Sequence, residues 1–344
     1  MKGLKLVSSN PLGLSKDRYD PTRDGISPTI LSIWKKCREK ARLRLLGWTS
    51  RKQTGAQMFG TIAHAVLEKV YGDIQRGKLG TIPTPKYVKA VCKDVEAKWR
   101  RSNTKADSET VETMEMMMLL VEAIMPIYFT FWNTDLTRMD WYHLEQFVGS
   151  ESLNRAYGKY ESHLKGKMDG AFKINKDKRG RLWLFETKTK SRIGEQGESN
   201  LVDIMPHECQ THLYLGALQD ASKGAVPGGV LLNIIRRPNF RLKKKESLPA
   251  FAARIIKDIQ KRPDYYFIRI RMEIDAGDLV KQRRLTDAMF ADFLAWYHGD
   301  APHYHNSDAC EDKYGTCEFL KICSHKDFTG MYQRKPRRNE LEDA

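Results

Sequence analysis

The segment Gly166 to Lys188, GKMDGAFKINKDKRGRLWLFETK, holds residues able to do chemistry: Asp169, then Glu186, Thr187 and Lys188 at the end of an apolar run. Leu182 to Phe185 is aliphatic and aromatic and follows the turn-rich NKDKRG, a pattern that predicts a buried strand entered from a hairpin. Side chains alternate along a strand, so Glu186 and Lys188 share one face, and Asp169 on the preceding strand can reach it across the hairpin. Two carboxylates and a lysine converging at a strand end can hold a divalent cation and position a water beside it. Each piece has a plainer reading: Asp169 with Gly170 can form a turn, and Glu-x-Lys can be a solvated charge pair.

The elements that must position these residues follow from periodicity and caps. Residues 1–26 read as an arm without regular structure. Ser27 and Pro28 open a helix through PTILSIWKKCREKARLRLLG that stops at Gly47 and carries Cys37 inside it. A second helix, FGTIAHAVLEKVYGDIQRG, places Ile62, Val66, Val70 and Ile74 on one face and His64 and Glu68 on another. Further helices are expected over residues 85–100 and 107–132. The second is apolar enough to resemble a membrane span, but Glu122 and Pro126 interrupt it, and Met114, Met116, Met117 and Met118 read as core filler. From Trp141 strands take over, at 144–148, 162–174 and 182–189. A glycine-rich break, a helix over 206–219, the strand GGVLLNIIRR, a helix over 249–262, the strand YYFIRIRMEI and a helix over 278–297 complete the order, which predicts a mixed sheet flanked by helices.

The ordered set is more telling than its members: a helix with Gly60 and His64, a strand with Asp169, a strand with Glu186-x-Lys188, then a helix with Gln210 and Tyr214 one turn apart. It resembles the PD-(D/E)XK nuclease superfamily, and within it the RecB-like branch, over about residues 55–220. The resemblance implies an α/β, restriction-endonuclease-like fold and a phosphodiesterase. His64, Asp169, Glu186 and the Thr187 backbone carbonyl would be metal ligands, and Lys188 would orient or deprotonate the attacking water and steady the phosphoryl charge. Gln210 and Tyr214 look like the Q-x-x-x-Y element of that branch, which faces the substrate strand. Oxygen ligands with one imidazole suit Mg²⁺ or Mn²⁺.

The cysteines form a second signal. Cys310, Cys317 and Cys323 make a compact, polar C-x6-C-x5-C run, and three thiolates need a fourth ligand. RecB-like nucleases of the AddB and CRISPR-associated kinds often hold a 4Fe-4S cluster with one cysteine before the nuclease core and three after it; Cys37 stands at the matching place. The spacing looks closer to phage-encoded RecB-like proteins. Zinc is the alternative, with His303, His305 or His325 completing a Cys/His site. Cys92 and Cys209 remain as buried core cysteines. The domains expected are an arm (1–26), an N-terminal helical region contributing Cys37 and His64 (27–140), the nuclease core (141–300), a cysteine lobe packed with the N-terminal helix (301–330) and a charged tail (331–344).

The 344 residues carry 59 Lys and Arg against 43 Asp and Glu, a net charge of +16, which favours a polyanionic partner, nucleic acid before membrane. Basic clusters at 35–44, Arg51 and Lys52, Arg236 and Arg237, and 241–245 fit a track along a phosphate backbone or, singly, a solvated face. No signal-peptide pattern opens the chain, so a cytoplasmic location, in a bacterial or phage-infected cell, is expected. The activity expected is DNA exonuclease action on single strands or duplex ends, in recombination, repair or replication. The chain has no G-x-x-x-x-G-K-[ST] motif, so unwinding would need a separate helicase. Its rivals are a nucleic-acid-binding or scaffold protein on an inactive nuclease fold, and a CRISPR-associated processing nuclease.

Overall fold

The computed structural model describes residues 12–14, 18–50, 53–104, 106–144, 147–148, 154–191, 204, 208–312 and 315–334. Arg51, Lys52, the glycine-rich break at 193–200, the expected helix start at Pro206 and the charged tail beyond Arg334 lie outside these residues. The chain forms two compact units. One gathers Met1–Lys52, Phe147–Gly166 and Leu279–Ala344; the other gathers Gln53–Gln146 and Lys167–Asp278. The first boundary runs through the expected N-terminal helical region, which separates Cys37 from His64.

The second unit is built on a five-stranded mixed sheet. Its strands are β2 (Met139–Leu144), β7 (Gly170–Ile174), β8 (Leu182–Lys190), β9 (Gly229–Arg236) and β10 (Phe267–Glu273), in the order β10-β9-β8-β7-β2. Only β8 and β9 run parallel, with Glu186, Thr187 and Lys188 opposite Leu232, Asn233 and Ile234. One face of the sheet, with Trp183, Phe185 and Ile235, packs into a core shared with α4 (Gly55–Gln75), α5 (Pro85–Ser102), α6 (Ser108–Phe131) and α9 (Leu248–Lys261). Alternation puts Leu184, Glu186 and Lys188 on the other face, where α8 (Cys209–Ala221) packs. Helix α6 is long and apolar enough to cross a membrane, yet its Met114, Met117, Met118, Val121 and Met125 are buried in the core. α4 starts at a capping box in which Thr54 accepts from the Gln57 amide and Gln57 from the Thr54 amide.

The expected strand over 162–174 is instead three pieces: β5 (Tyr160–His163), β6 (Gly166–Lys167) and β7. The breaks leave Asp169 in a bend just before β7, where its carboxylate turns back to cap the Thr187 amide. The first expected strand, 144–148, is displaced: the pairing strand runs from Met139 to Leu144, and Phe147–Val148 is a separate short strand.

In the first unit, the arm is not featureless. Pro21–Asp24 is a turn of helix (α1) capped by Asp20, and Ile26 bridges to Leu164. The single helix expected from Pro28 to Gly47 is two, α2 (Pro28–Lys36) and α3 (Arg38–Leu45), with Cys37 extended between them at φ −159°, ψ 121°. No proline or glycine causes the break. Tertiary bonds do: Asn306 donates to the Lys36 carbonyl at 2.8 Å, and Arg38 to the Pro302 carbonyl. The start of the expected tail is also structured, since β13 (Met331–Gln333) pairs antiparallel with β1 (Trp48–Ser50) over a small core of Leu43, Phe319, Ile322 and Met331.

Candidate functional site

Strand β8 delivers Glu186 almost fully buried, 2% exposed, with Lys188 two residues on. Glu186 Oε1 accepts from Lys188 Nζ at 2.7 Å and from Gln210 Nε2 of α8 at 2.8 Å. Its other oxygen, Oε2, is shielded from solvent and has no hydrogen-bond partner. Asp169 arrives from the far side of the hairpin. Its Oδ2 accepts from the Thr187 amide at 2.7 Å and its Oδ1 lies 3.2 Å from His64 Nδ1 on α4. Gly60, one turn before His64, faces β8: a Cβ there would come within 3.0 Å of Thr189 Oγ1, so the small residue permits the close approach.

The electrostatics follow from crowding two carboxylates into a dry place. Burial, then the Asp169 charge, push Glu186 up to about 7 against the pull of Lys188. Burial alone would lower the Lys188 amine, but Glu186, Glu208 and Asp169 outweigh it and hold the lysine above its usual range, as an ammonium. Glu208 is 3.9 Å away. A buried carboxylate oxygen with no partner costs roughly 1–3 kcal/mol or more when charged. A hard cation satisfies it. The carboxylates of Asp169 and Glu186 and the imidazole of His64, near enough to act on one another electrostatically, are donor types that Mg²⁺ or Mn²⁺ accepts.

The sequence-predicted residues thus converge, with one change of aspect. Tyr214 is buried, 4% exposed, and donates to the Lys167 carbonyl at 3.0 Å, so it steadies the chain leading to Asp169. Glu68 lies 3.5 Å from Lys167.

Sequence reasoning missed the support behind β8. Asn233 donates to Thr187 Oγ1 at 3.2 Å, and its oxygen accepts from Tyr128 at 3.0 Å and from Arg269 Nε at 3.2 Å. Arg269 is clamped by Asp135 through two bonds of 2.6 Å, and Tyr71 donates to the same carboxylate. An asparagine inside the apolar run GGVLLNIIRR was the available signal.

The cysteine lobe is the other site, within the first unit. Cys37, Cys310, Cys317 and Cys323 are free thiols. Burial, the Glu39 carboxylate and the nearby thiols of Cys317, Cys37 and Cys310 push Cys323 up to about 11. The Cys317 amide bonds the Cys310 carbonyl at 2.8 Å. Among the described residues, Glu39, His303 and His305 place ligand atoms within 4.8 Å of one another. Both His303 nitrogens are already engaged, Nδ1 by Trp296 at 3.2 Å and Nε2 by Glu39 at 2.9 Å, and Arg42 forks onto Glu39 at 2.6 and 2.7 Å. Cys92 is buried, its thiol raised to about 12 by burial, whereas Cys209, expected in the core, is half-buried at the start of α8.

A mixed sheet that brings two carboxylates, a lysine and a helical histidine to the end of one strand defines a metal-dependent phosphodiesterase of restriction-endonuclease-like fold. The model of the PD-(D/E)XK nuclease superfamily matches residues 25–324, and the chain belongs to that superfamily. No curated protein matches the chain. Nucleases of this superfamily act on DNA and generally use Mg²⁺ or Mn²⁺.

Proposed function

We propose that this protein is a RecB-like DNA exonuclease, acting on single strands or duplex ends with Mg²⁺ or Mn²⁺ held by His64, Asp169, Glu186 and the Thr187 carbonyl. The observation that carries the reading is the buried, orphaned Oε2 of Glu186, whose other oxygen pairs with the Lys188 ammonium. The cation supplies Lewis-acid polarisation of the phosphate and a more acidic water. Gln210 fixes the Glu186 carboxylate in rotation. His64 and the Thr187 amide fix Asp169. Lys188, kept charged by its carboxylate neighbours, is suited to stabilising phosphoryl charge and orienting the water.

In the same reading Cys37, Cys310, Cys317 and Cys323 hold a structural 4Fe-4S cluster. Cys37, Cys310 and Cys317, from two distant segments, act electrostatically on Cys323, and His303 is committed to Glu39 and Trp296, which supports the cluster over a zinc site completed by His303. A separate helicase would supply unwinding.

Purified protein with 5′- and 3′-labelled DNA and either cation tests the activity. Release of mononucleotides or short fragments from one end is expected. Glu186→Gln and Lys188→Ala should each lower cleavage by about 10²-fold or more while leaving DNA binding in place. Full activity in either variant refutes the site. DNA that is bound but never cut, with any divalent ion, makes the protein a binding module.

A further inference from the structure

Several arginines of the second unit are paired with carboxylates. Arg269 is forked onto Asp135, Arg254 onto Glu246 and Arg262 onto Asp258, while Arg181 pairs with Asp177 and Arg100 with Glu96 and Glu115. Arg101, Arg138, Arg179 and Arg241 are exposed and have no carboxylate partner among the described residues; two more arginines without one are shielded, and they are adjacent. Arg236 and Arg237 stand at the end of β9 and just past it, with no carboxylate partner among the described residues. Arg236 is 8% exposed, its Nε is shielded without a hydrogen bond, and its guanidinium lies 4.2 Å over the Tyr265 ring. Arg237 is half-buried, its Nε likewise unsatisfied, and its one side-chain hydrogen bond among the described residues is a weak 3.8 Å approach of Nη1 to Met117 Sδ. Burial without an anion holds Arg237 below the usual arginine range.

Their position relative to the site follows from the register. Arg236 pairs with Lys190, two residues beyond Lys188 on the neighbouring parallel strand, and so shares the sheet face of Glu186 and Lys188. The Arg237 amide extends the ladder by donating to the Lys190 carbonyl at 2.7 Å, and its side chain goes to the opposite face. There it meets the start of α4, where a Cβ on Gly55 would come 3.4 Å from Nη1. The two guanidiniums therefore lie on opposite faces of the strand end, at the register position two residues beyond Lys188. Leaving one of them shielded and unpaired is costly, and leaving two side by side is costlier.

We propose that Arg236 and Arg237 are substrate-binding residues that hold consecutive backbone phosphates of the DNA strand whose scissile phosphate lies at Glu186 and Lys188. Arginine suits this role because its planar fork takes phosphate oxygens two at a time. The inference rests on the nuclease reading for its substrate and assigns a job to two residues outside the PD-(D/E)XK motif.

The test is anisotropy of a labelled single-stranded oligonucleotide in chelator, over a range of salt, followed by steady-state cleavage with Mg²⁺. Arg236→Gln and Arg237→Gln should each weaken binding by about tenfold or more. Each should also reduce the slope of log affinity against log salt by about 0.7. The loss should appear in KM more than in kcat, with Lys at either position restoring most of the salt slope but not the affinity. Arg100→Gln, which removes a surface cation paired with two glutamates, is the control. Because Arg236 is buried, its variant can unfold, and the wild-type protein then provides the second arm. Neutral methylphosphonates placed singly along the oligonucleotide should weaken binding at two adjacent positions, and Arg237→Gln should erase the effect at one of them. Unaltered affinity and slope in folded variants, or a flat methylphosphonate scan, overturns the proposal. Cleavage that persists in those circumstances leaves the nuclease intact, and arginine-dependent binding with no cleavage leaves the clamp standing while the nuclease falls.

Discussion

Asn233 donates to the hydroxyl of Thr187 at 3.2 Å, so the middle residue of the Glu186–Lys188 tripeptide is held from the parallel strand beside it. The same carboxamide takes hydrogen bonds from Tyr128 and Arg269 through its oxygen. Asn233→Leu removes a fully buried polar hub and leaves three groups without it. It should lower unfolding stability by about 1–3 kcal/mol. Cleavage should fall further than the folded fraction does, since β8 loses its lateral brace. Denaturant titration alongside single-turnover cleavage checks this. Activity that merely tracks the folded fraction would reduce Asn233 to a core residue.

The Arg269–Asp135 pair behind it is buried on both sides and also stacks on Trp132, at 4.2 Å. Asp135→Ala strands a guanidinium that cannot discharge, and about 3–5 kcal/mol should be lost. The double variant Asp135→Leu with Arg269→Met replaces both charges by apolar groups and should be less destabilised than Asp135→Ala alone. Equal losses in urea titrations of the two proteins would show that the pair itself, and not the uncompensated charge, sets the cost.

Stability of the metal-free protein should depend on pH through Glu186. Its folded-state pKa is raised from 4.5 to about 7, so between those values the folded chain binds more protons than the unfolded one. The contribution is therefore fully present below about pH 4.5 and is lost as pH rises through 7, by up to about 3 kcal/mol. Urea midpoints in chelator should fall from pH 5 to 7.5, and Glu186→Gln should flatten the decline. Divalent cation, which needs the ionised carboxylate, should reverse it at neutral pH. A decline of equal steepness in Glu186→Gln assigns the effect to other groups.

Metal content distinguishes the readings of the cysteine lobe. Protein purified anaerobically should be brown and contain iron and acid-labile sulfide in equal amounts, and Cys37→Ala should lose both although it lies 273 positions from Cys310. The same variant should lower the thermal midpoint of the first unit, since ligand release unties two chain segments. Colourless protein containing one zinc would favour the Cys/His alternative instead.

Much of the site was legible because its logic is local. Strand alternation places Glu186 and Lys188 together, helical spacing places Gly60 and His64, and a short hairpin returns Asp169 to the same end. What sequence concealed depends on distant partners. The break at Cys37 exists because Asn306 and Pro302 take up the bonds around it, and a helical pattern has no means of announcing that. Asp169 sits outside its strand because the run from Ser162 is cut twice, though its residues are compatible with continuous pairing. Three residues at Met331 read as tail because a strand so short is defined by its partner, here Trp48 to Ser50. Asp135, Asn233 and Arg269 are 98 and 36 residues apart in turn, and nothing in any one segment marks them as a network.

The division into two units has a consequence for biosynthesis. Every described residue of the unit bearing His64, Asp169, Glu186 and Lys188 has left the peptidyl-transferase centre by Asp278, whereas the lobe with Cys37 near its beginning waits for Cys310, Cys317 and Cys323. Cys37 is thus made well before the three cysteines it is proposed to join. Domains fold as units while the ribosome is still adding residues, so the unit bearing His64, Asp169, Glu186 and Lys188 is able to assemble before the segments carrying Cys310, Cys317 and Cys323 have been made.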